Sequence, residues 1–206
     1  MSTLPRVKAN PDELFDVVDD KDHVIGYAPR REVHARRLLH RAIHVLVHDS
    51  DGHLFLQRRS MSKDTFPGCW DSSCSGHVDS GEDYPVAARR EMGEELGCFE
   101  MALPLRPLLK LNASPETGHE FIQIFLLGPY AGPFDLNPEE ITEGRWVVPA
   151  ELDRLIEENP DQVAGALRLL WREHREEILA GIGLDGAVMP SATGRPGEGR
   201  CGSTAS

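Results

Sequence analysis

The sequence is poor in cysteine, and it lacks a long run of apolar residues. Its four cysteines, Cys69, Cys74, Cys98 and Cys201, have neither the paired spacing of a zinc site nor the density of a secreted disulfide scaffold. No apolar run is long enough for a signal peptide or a membrane-spanning helix. These features predict a cytoplasmic protein with free thiols.

Basic residues are scarce relative to acidic ones. The chain has 22 lysines and arginines against 34 aspartates and glutamates, which gives a formal net charge of −12. This balance opposes non-specific binding to nucleic acid or to an anionic membrane surface. We therefore expect a small-molecule substrate rather than either of those partners, with any phosphate group held by local positive charges.

The remaining composition is that of one globular domain with additional ends. The chain has 206 residues, of which 40% are apolar and 27% charged. We predict an N-terminal segment with a β-hairpin at residues 1–35, a main domain at residues 36–182 and a disordered tail at residues 183–206, which is rich in Gly, Ser, Pro and Arg. The composition leaves the oligomeric state open, a homodimer included.

Short apolar and β-branched runs predict most of the sheet. Two apolar runs within residues 14–28 flank a polar turn, which indicates the hairpin. Helices are expected at residues 149–158 and 162–179, and further strands at residues 41–48, 53–57, 105–111, 120–127 and 144–148. Strands mixed with a few helices predict an α/β sandwich with helices on both sides of a mixed sheet.

Residues 76–98, GHVDSGEDYPVAARREMGEELGC, predict a glycine-rich turn followed by a helix. The helix is expected to begin near Asp83, with Pro85 in its first turn, and to end at Gly97. Gly93 has no evident role there, although glycine inside a helix costs about 1 kcal/mol relative to alanine. The apolar stripe for packing consists of Ala88, Met92 and Leu96.

A second face of this helix carries Glu91, Glu94 and Glu95 at positions i, i+3 and i+4. Like charges at that spacing destabilise a helix, so a hard divalent cation such as Mg²⁺, which takes oxygen ligands, would offset the repulsion. The alternative is a solvated face with ion pairs. That interpretation requires the two glycines, Glu82 and Arg90 to occur beside the three acids by chance.

Together these residues resemble the Nudix box position by position: Gly76, Glu82, Arg90, Glu91, Met92, Glu94, Glu95, Gly97 and Cys98. The resemblance implies the Nudix α/β/α fold and a hydrolase, dependent on Mg²⁺ or Mn²⁺, that cleaves a nucleoside diphosphate linked to another group. It also implies that Glu94 and Glu95 bind metal and that Glu91 binds metal or acts as the base. Glu82 and Arg90 would pair to brace the loop against the helix.

Residues 38–77 resemble the matching part of type I isopentenyl diphosphate isomerases and of closely related Nudix hydrolases, within a similarity that covers roughly residues 14–127. In the isomerases, residues at the positions of Arg59 and Lys63 contact the substrate diphosphate. A guanidinium fork and an ammonium group on a short loop suit adjacent phosphoryl groups. Ordinary solvated surface charges are the alternative.

The isomerases use a cysteine at the position of Ser75, whereas this chain has Cys74 one residue earlier. In an extended segment, a shift of one residue points the thiol to the opposite face, so we expect Cys74 to be a small buried side chain. The isomerases also carry an incomplete box. A hydrolase is therefore the first interpretation, an isomerase the second, and a binding module without turnover the third, which no box residue supports.

Other residues extend the candidate site. Glu120 opens a predicted strand and is the candidate fourth metal-binding carboxylate, with a salt-bridge partner as the alternative. The general base is left open among Glu91, Glu120, Glu139 and Glu140. Trp70, Tyr84, Phe121 and Trp146 either stack on a base or, as we expect for most of them, fill the core.

Three histidines, His34, His40 and His77, stand at places comparable to those that hold a metal in the isomerases. With Glu120 they predict a second divalent cation site suited to Zn²⁺ or Mn²⁺. The spacing of the first histidine differs by one residue, and the isomerases' second glutamate falls at Gly118. Histidines that make ordinary hydrogen bonds are the alternative.

Overall fold

The structure is a computed structural model that describes residues 12–99 and 104–184. Its elements in chain order are β1 (Leu14–Val18), β2 (Val24–Pro29), α1 (Arg30–Arg36), β3 (His40–His48), β4 (Leu54–Arg59), β5 (Trp70–Asp71), β6 (Cys74–His77), α2 (Tyr84–Leu96), β7 (Leu105–Leu111), β8 (Glu120–Leu127), β9 (Ile141–Val147), α3 (Pro149–Glu158), a 3-10 turn (Pro160–Gln162) and α4 (Gly165–Gly181).

Strand β3 lies at the centre of a seven-stranded mixed sheet. The main order is β5-β4-β3-β8-β7, with β6 added to β3 and β9 added to β4. Only the pairing of β3 with β8 is parallel. Strands β1 and β2 form a separate hairpin. The predicted α/β fold with a mixed sheet and an N-terminal hairpin is confirmed.

Both faces of β3 are covered, because its side chains alternate between two apolar clusters. Ile43, Val45 and Val47 pack with the apolar stripe of α2. Ala42 and Leu46 pack on the other face, with residues of α3 and α4. The sheet therefore forms the middle layer of three. None of the helices in the described ranges is long and apolar enough to cross a membrane.

Helix α2 begins and ends as its sequence predicts. The side chain of Asp83 accepts a hydrogen bond from the backbone N–H of Val86 at 2.9 Å, and Gly97 closes the helix with φ of +70°. Gly93 has a packing role instead of a chemical one, since a Cβ there would lie 2.7 Å from the ring of Phe99. The predicted apolar stripe is buried: Ala88, Met92 and Leu96.

The structure differs from the sequence prediction in several elements, including β9, which begins at Ile141 instead of residue 144. Helix α1 and the two short strands β5 and β6 were not predicted. Helix α4 begins at Gly165 instead of residue 162, because the Ala164 N–H bonds the carbonyl of Trp70 at 2.8 Å and keeps the preceding residue extended. The predicted tail from residue 183 lies outside the described residues, except for Gly183 and Leu184.

The hairpin is joined to the sheet through Asp22 in its turn. The carboxylate of Asp22 accepts from Arg41 Nε at 2.6 Å and from Tyr84 Oη at 3.0 Å, and it also pairs with Lys110. Phe15 of β1 is fully buried against the histidines described below. The hairpin therefore forms part of the wall around the candidate site.

Candidate active site

A cavity of about 340 Å³ lies between the N-terminal hairpin, the β3–β6 pair, α2 and the loop that follows β4. Of the predicted site residues, Glu82 and His40 do not line it. The others line it: Arg90, Glu91, Glu94, Glu95, Glu120, His34, His77, Arg59 and Lys63. The structure thus brings together residues that the sequence places far apart.

Glu91 lies against the backbone of β6, and Gly76 makes that approach possible. A Cβ at Gly76 would lie 2.1 Å from Cδ of Glu91. Burial raises the pKa of Glu91; Arg90 opposes the shift, and the neighbouring acids Glu94 and Glu95 add to it. Glu91 therefore holds a proton more tightly than an exposed glutamate does, unless a cation replaces it.

Arg90 connects the glycine-rich loop to the helix. Its Nε and Nη2 atoms each lie 3.0 Å from a carboxylate oxygen of Glu82, and Nη2 also bonds the carbonyl of His77 at 2.9 Å. Its Nη1 lies 2.8 Å from Glu91 and 3.4 Å from Glu94. One guanidinium thus holds the loop and orients two carboxylates.

Glu95 is the most buried acid of the box, with 2% of its surface exposed. Its Oε2 accepts from Nε2 of Gln57 at 3.0 Å and from the backbone N–H of Ser75 at 3.1 Å. Its Oε1 lies 3.6 Å from the ammonium of Lys63. Three groups from other elements therefore fix this carboxylate, and sequence reasoning missed Gln57.

The two predicted phosphate-binding cations lie in the cavity, and each contacts a carboxylate. Arg59 Nη1 lies 3.0 Å from Asp71 and 3.3 Å from the hydroxyl of Ser75. Lys63 pairs with Glu140. Of the candidate bases, Glu140 is thus occupied by an ammonium group, and Glu139 does not line the cavity.

The box carboxylates supply the oxygen donors that suit Mg²⁺ or Mn²⁺. In residues 12–99 and 104–184, two groups of side chains have their ligand atoms within 4.8 Å of one another: His34, His40 and His77, and Asp49, Asp51 and His53. The box carboxylates do not form such a group. Arg90 contacts two of the box acids, so these acids and Arg90 must shift to close around a cation. The donor chemistry fits the metal that the box implies.

The three histidines lie together, with ring centroids 5.2 to 5.3 Å apart. Glu120 lies beside them, 3.1 Å from Nε2 of His77 and 3.3 Å from Nε2 of His40. Burial lowers the pKa of His77 to about 3 and also lowers that of His34. Burial opposes the ionisation of Glu120, but the neighbouring imidazoles of His40 and His77 hold its pKa well below the ordinary value.

The orientation of His40 favours a cation at this place. Its Nδ1 lies 2.9 Å from the carbonyl oxygen of Leu38, which can only accept, so Nδ1 carries the proton of the neutral ring. Its Nε2 then points a lone pair at Glu120 and has no hydrogen-bond partner in the described part of the chain. Two facing acceptors need a proton or a metal ion between them. Nitrogen and carboxylate donors fit Zn²⁺ or Mn²⁺.

Strand β6 confirms the prediction for Cys74. Cys74 pairs with Val45 and is buried in the apolar cluster under α2, where burial raises the pKa of its thiol. Ser75 pairs with His44 and lines the cavity. The thiol and the hydroxyl therefore face opposite sides of the sheet.

The four aromatic residues considered as base-stacking partners do not line the cavity. Trp70 and Phe121 are buried, and Trp146 packs on Phe55. The aromatic side chain in the cavity is Phe66, which lies on the loop after β4. Its sequence neighbourhood gave no signal beyond a turn.

The sequence matches the NUDIX domain family over residues 38–169, and five residues of the box line the cavity: Gly76, Arg90, Glu91, Glu94 and Glu95. The chain belongs to the Nudix hydrolase family, whose enzymes act on pyrophosphate bonds.

Among its relatives, a Nudix hydrolase of Yersinia pestis is 37% identical over 80% of this chain and 90% of its own length. An isopentenyl-diphosphate delta-isomerase of Photorhabdus laumondii is 34% identical over 73% of this chain and 85% of its own length. A crystal structure of a Deinococcus radiodurans protein is 32% identical, covers 78% of this chain and 98% of its own, and has a TM-score of 0.69. The names of these relatives thus include both a Nudix hydrolase and an isopentenyl-diphosphate isomerase.

Proposed function

We propose that this protein hydrolyses, with Mg²⁺ or Mn²⁺, the diphosphate linkage of a nucleoside diphosphate derivative or a related small molecule. The observation that carries the proposal is the cavity itself, where the three box carboxylates meet Arg59 and Lys63. Carboxylates suit the cations, and the two basic side chains suit the phosphoryl oxygens. Substrate phosphate would replace Asp71 and Glu140 as their partner.

Glu91, Glu94 and Glu95 would hold the metal ion, which when bound polarises a phosphoryl group and lowers the pKa of a water molecule. Arg90 keeps Glu91 in place, and Gln57 and the Ser75 amide keep Glu95 in place. Glu91 is the base that the geometry favours. Glu91 lines the cavity beside the other box acids, whereas Glu120 contacts two histidines, Glu140 pairs with Lys63 and Glu139 does not line the cavity.

We also propose a second cation site at His34, His40 and His77, with Glu120 as the oxygen ligand. The facing acceptors of His40 and Glu120 support it. Metal analysis of protein purified without an affinity tag tests this site. A transition metal should co-purify with the wild type and should be lost in His40→Ala and His77→Ala. Unchanged stoichiometry in both variants would contradict the second site.

The alternative activity is isomerisation of isopentenyl diphosphate, which the named relatives favour. It requires an acid at Ser75, and an alcohol is a far weaker acid than a thiol. We therefore expect no useful rate of label uptake from deuterated water into isopentenyl diphosphate, followed by NMR. Ready incorporation that survives Cys74→Ala would replace the hydrolase proposal.

The hydrolase proposal is tested with a panel of nucleoside di- and triphosphates, nucleotide sugars, dinucleotides and prenyl diphosphates. We expect release of phosphate, or of pyrophosphate, or of a nucleoside monophosphate, that requires the divalent cation. Turnover in excess chelator, or no turnover of any compound, would contradict it. As part of the same proposal, the domain at residues 36–182 and the preceding hairpin act together as one functional unit.

A further inference from the structure

Strand β3 places one more chemically active side chain in the cavity. Ile43 and Val45 of this strand face α2, so His44 between them faces the other side of the sheet. His44 pairs across the sheet with Ser75, and both residues line the cavity. Directly paired residues project on the same face and lie close together. The hydrolysis described above uses neither of these side chains.

Contacts within the protein determine which ring nitrogen of His44 carries the proton. Nδ1 lies 2.7 Å from Oγ of Ser72 and 3.7 Å from a carboxylate oxygen of Asp71. The Ser72 hydroxyl lies 3.3 Å from the carbonyl oxygen of Cys74, to which it can donate while its own oxygen accepts from Nδ1. The Asp71 carboxylate, which can only accept, selects the tautomer with the proton on Nδ1, and Nε2 then keeps a lone pair.

This lone pair is open to the cavity. Nε2 of His44 has no hydrogen-bond partner within residues 12–99 and 104–184. It also does not belong to the fully buried polar atoms that lack a partner in those ranges, so it is accessible. His44 is 5% exposed, and it lines the cavity. The side chain thus offers an acceptor to whatever enters.

Ser75 offers the complementary donor. Its Oγ accepts from Nη1 of Arg59 at 3.3 Å, and its backbone N–H is used by Glu95. The proton of its hydroxyl has no acceptor in the described ranges. An acceptor on β3 and a donor on β6 therefore stand side by side without bonding each other.

We propose that His44 and Ser75 recognise a hydroxyl group in the non-phosphate part of the substrate. The substrate hydroxyl donates to Nε2 of His44 and accepts from the Ser75 hydroxyl. This inference rests on the proposed function, because it places the diphosphate at the neighbouring Arg59. It names the substrate class as diphosphates of a hydroxyl-bearing group, such as a pentose, in preference to diphosphates of a hydrocarbon.

The energetic reason is the cost of an unpaired polar group. A hydrocarbon against this wall would remove water from His44 and Ser75 without replacing its hydrogen bonds. Sites built to bind a hydroxyl discriminate against analogues that lack it by up to about 10⁴- to 10⁵-fold. The pair therefore acts on specificity, and the box acids act on every substrate alike.

The test uses pairs of probes that differ in a hydroxyl group. Adenosine and cytidine diphosphate are compared with their 2′-deoxy and 3′-deoxy forms, and 3-hydroxy-3-methylbutyl diphosphate is compared with isopentenyl diphosphate. We measure kcat/KM for phosphate release with Mg²⁺. In at least one pair the wild type should prefer the hydroxylated probe by about tenfold or more.

His44→Leu should reduce this preference to below about threefold, mainly through slower turnover of the hydroxylated probe. Ser75→Ala should reduce it partly. Glu94→Gln should slow both probes alike and keep the ratio. His48→Leu is the matched control, since His48 lies on the same strand with 7% exposure and does not line the cavity. It should leave the ratio unchanged.

An absent preference in all pairs, or a preference that survives His44→Leu, overturns the inference while leaving the hydrolase proposal intact. If the wild type turns over none of these probes, the proposed function is decided by the wider substrate panel described above. Calorimetry then measures the affinity of the same probe pairs in the presence of Ca²⁺, and the same ratios are expected for the affinities. Absent binding also overturns the inference. If circular dichroism shows His44→Leu unfolded, His44→Gln and Ser75→Ala decide by the same criterion.

Discussion

Glu94 and Glu95 differ in their surroundings, although both belong to the same metal-binding motif. The Glu94 side chain is 34% exposed, whereas that of Glu95 is 2% exposed and holds two hydrogen bonds. Glu94→Gln should therefore lower kcat/KM by about 100-fold or more and change the free energy of unfolding by under ~0.5 kcal/mol. Steady-state turnover and urea unfolding measure the two effects.

The matched control for Glu94→Gln is Glu32→Gln, because Glu32 also pairs with an arginine four residues away on a helix. It should leave turnover unchanged. Equal activity of Glu94→Gln and wild type at saturating Mg²⁺ would remove Glu94 from the metal site. Glu95→Gln should cost more stability than Glu94→Gln, because it changes a buried hydrogen-bond acceptor.

Gln57 is a positioning residue, since it holds Glu95 without lining the cavity. Gln57→Leu should weaken Mg²⁺ activation and raise the Mg²⁺ concentration for half-maximal rate by about 10-fold or more. Gln123→Leu is the control, because Gln123 bonds backbone carbonyls away from the site. Metal titrations of turnover give the comparison. A Gln57→Leu curve that overlays the wild-type curve would exclude this role.

The raised pKa of Glu91 predicts a pH dependence of stability in the metal-free protein. The folded protein holds this proton more tightly than the unfolded chain, so the contribution is present at low pH and is lost as pH rises through the folded-state pKa. Between about pH 6.5 and 8 the wild type in chelator should lose up to about 1.4 kcal/mol per pH unit relative to Glu91→Gln, as part of a loss that begins near the unfolded-state pKa of 4.5 and ends near the folded-state pKa of about 8.

Thermal or urea unfolding at several pH values measures this difference. Added Mg²⁺ should remove most of the loss in the wild type, because a bound cation stabilises the ionised carboxylate. The low pKa of His77 acts in a different range, below its ordinary pKa of 6.5. Parallel pH profiles of wild type and Glu91→Gln in chelator would show that Glu91 is already ionised.

At the scale of elements, the contact between β6 and α2 depends on Gly76. Gly76→Ala places a methyl group 2.1 Å from Cδ of Glu91 and should displace that carboxylate. We expect a destabilisation of about 1–3 kcal/mol and a loss of most turnover. Gly26→Ala is the control, because no atom lies within 4 Å of the added Cβ.

A double variant separates crowding from other effects of the glycine. If Gly76 serves to accommodate Glu91, Gly76→Ala should cost much less stability in a Glu91→Ala background than alone. The difference in unfolding free energy between the two backgrounds gives the coupling. Additive effects would mean that β6 needs the glycine for another reason.

At the scale of the whole molecule, Asp22 joins the hairpin to the sheet. The residue has φ of +64°, which asparagine tolerates better than most residues, so Asp22→Asn removes the charge with little backbone strain. Weaker pairing with Arg41, Tyr84 and Lys110 should cost about 1–3 kcal/mol.

The same substitution should lower turnover, because the residues that flank the hairpin, Glu13 before β1 and Arg30 at the start of α1, line the cavity. Limited proteolysis should cut the hairpin faster than in the wild type. Asp20→Asn in the same turn is the control. Unchanged proteolysis and unchanged turnover would show that the hairpin stays in place without the Asp22 contacts.

The sequence alone determined the local features of this protein. Helix α2, with its cap at Asp83 and its end at Gly97, and strands β7 and β8 were predicted from capping residues and periodicity, which act over a few neighbouring residues. The box spacing also predicted the family, because it lies within one continuous loop and helix. A turn of helix aligns Glu91, Glu94 and Glu95 without help from the rest of the chain.

Only the tertiary structure decided which distant residues meet. Strands β5 and β6 are too short to give a pattern of their own, and they form because β4 and β3 offer them backbone partners. The contacts of Gln57 with Glu95 and of His44 with the cavity depend on that pairing. In a sheet, one residue of register moves a side chain to the opposite face, so sequence spacing cannot place side chains on different strands together.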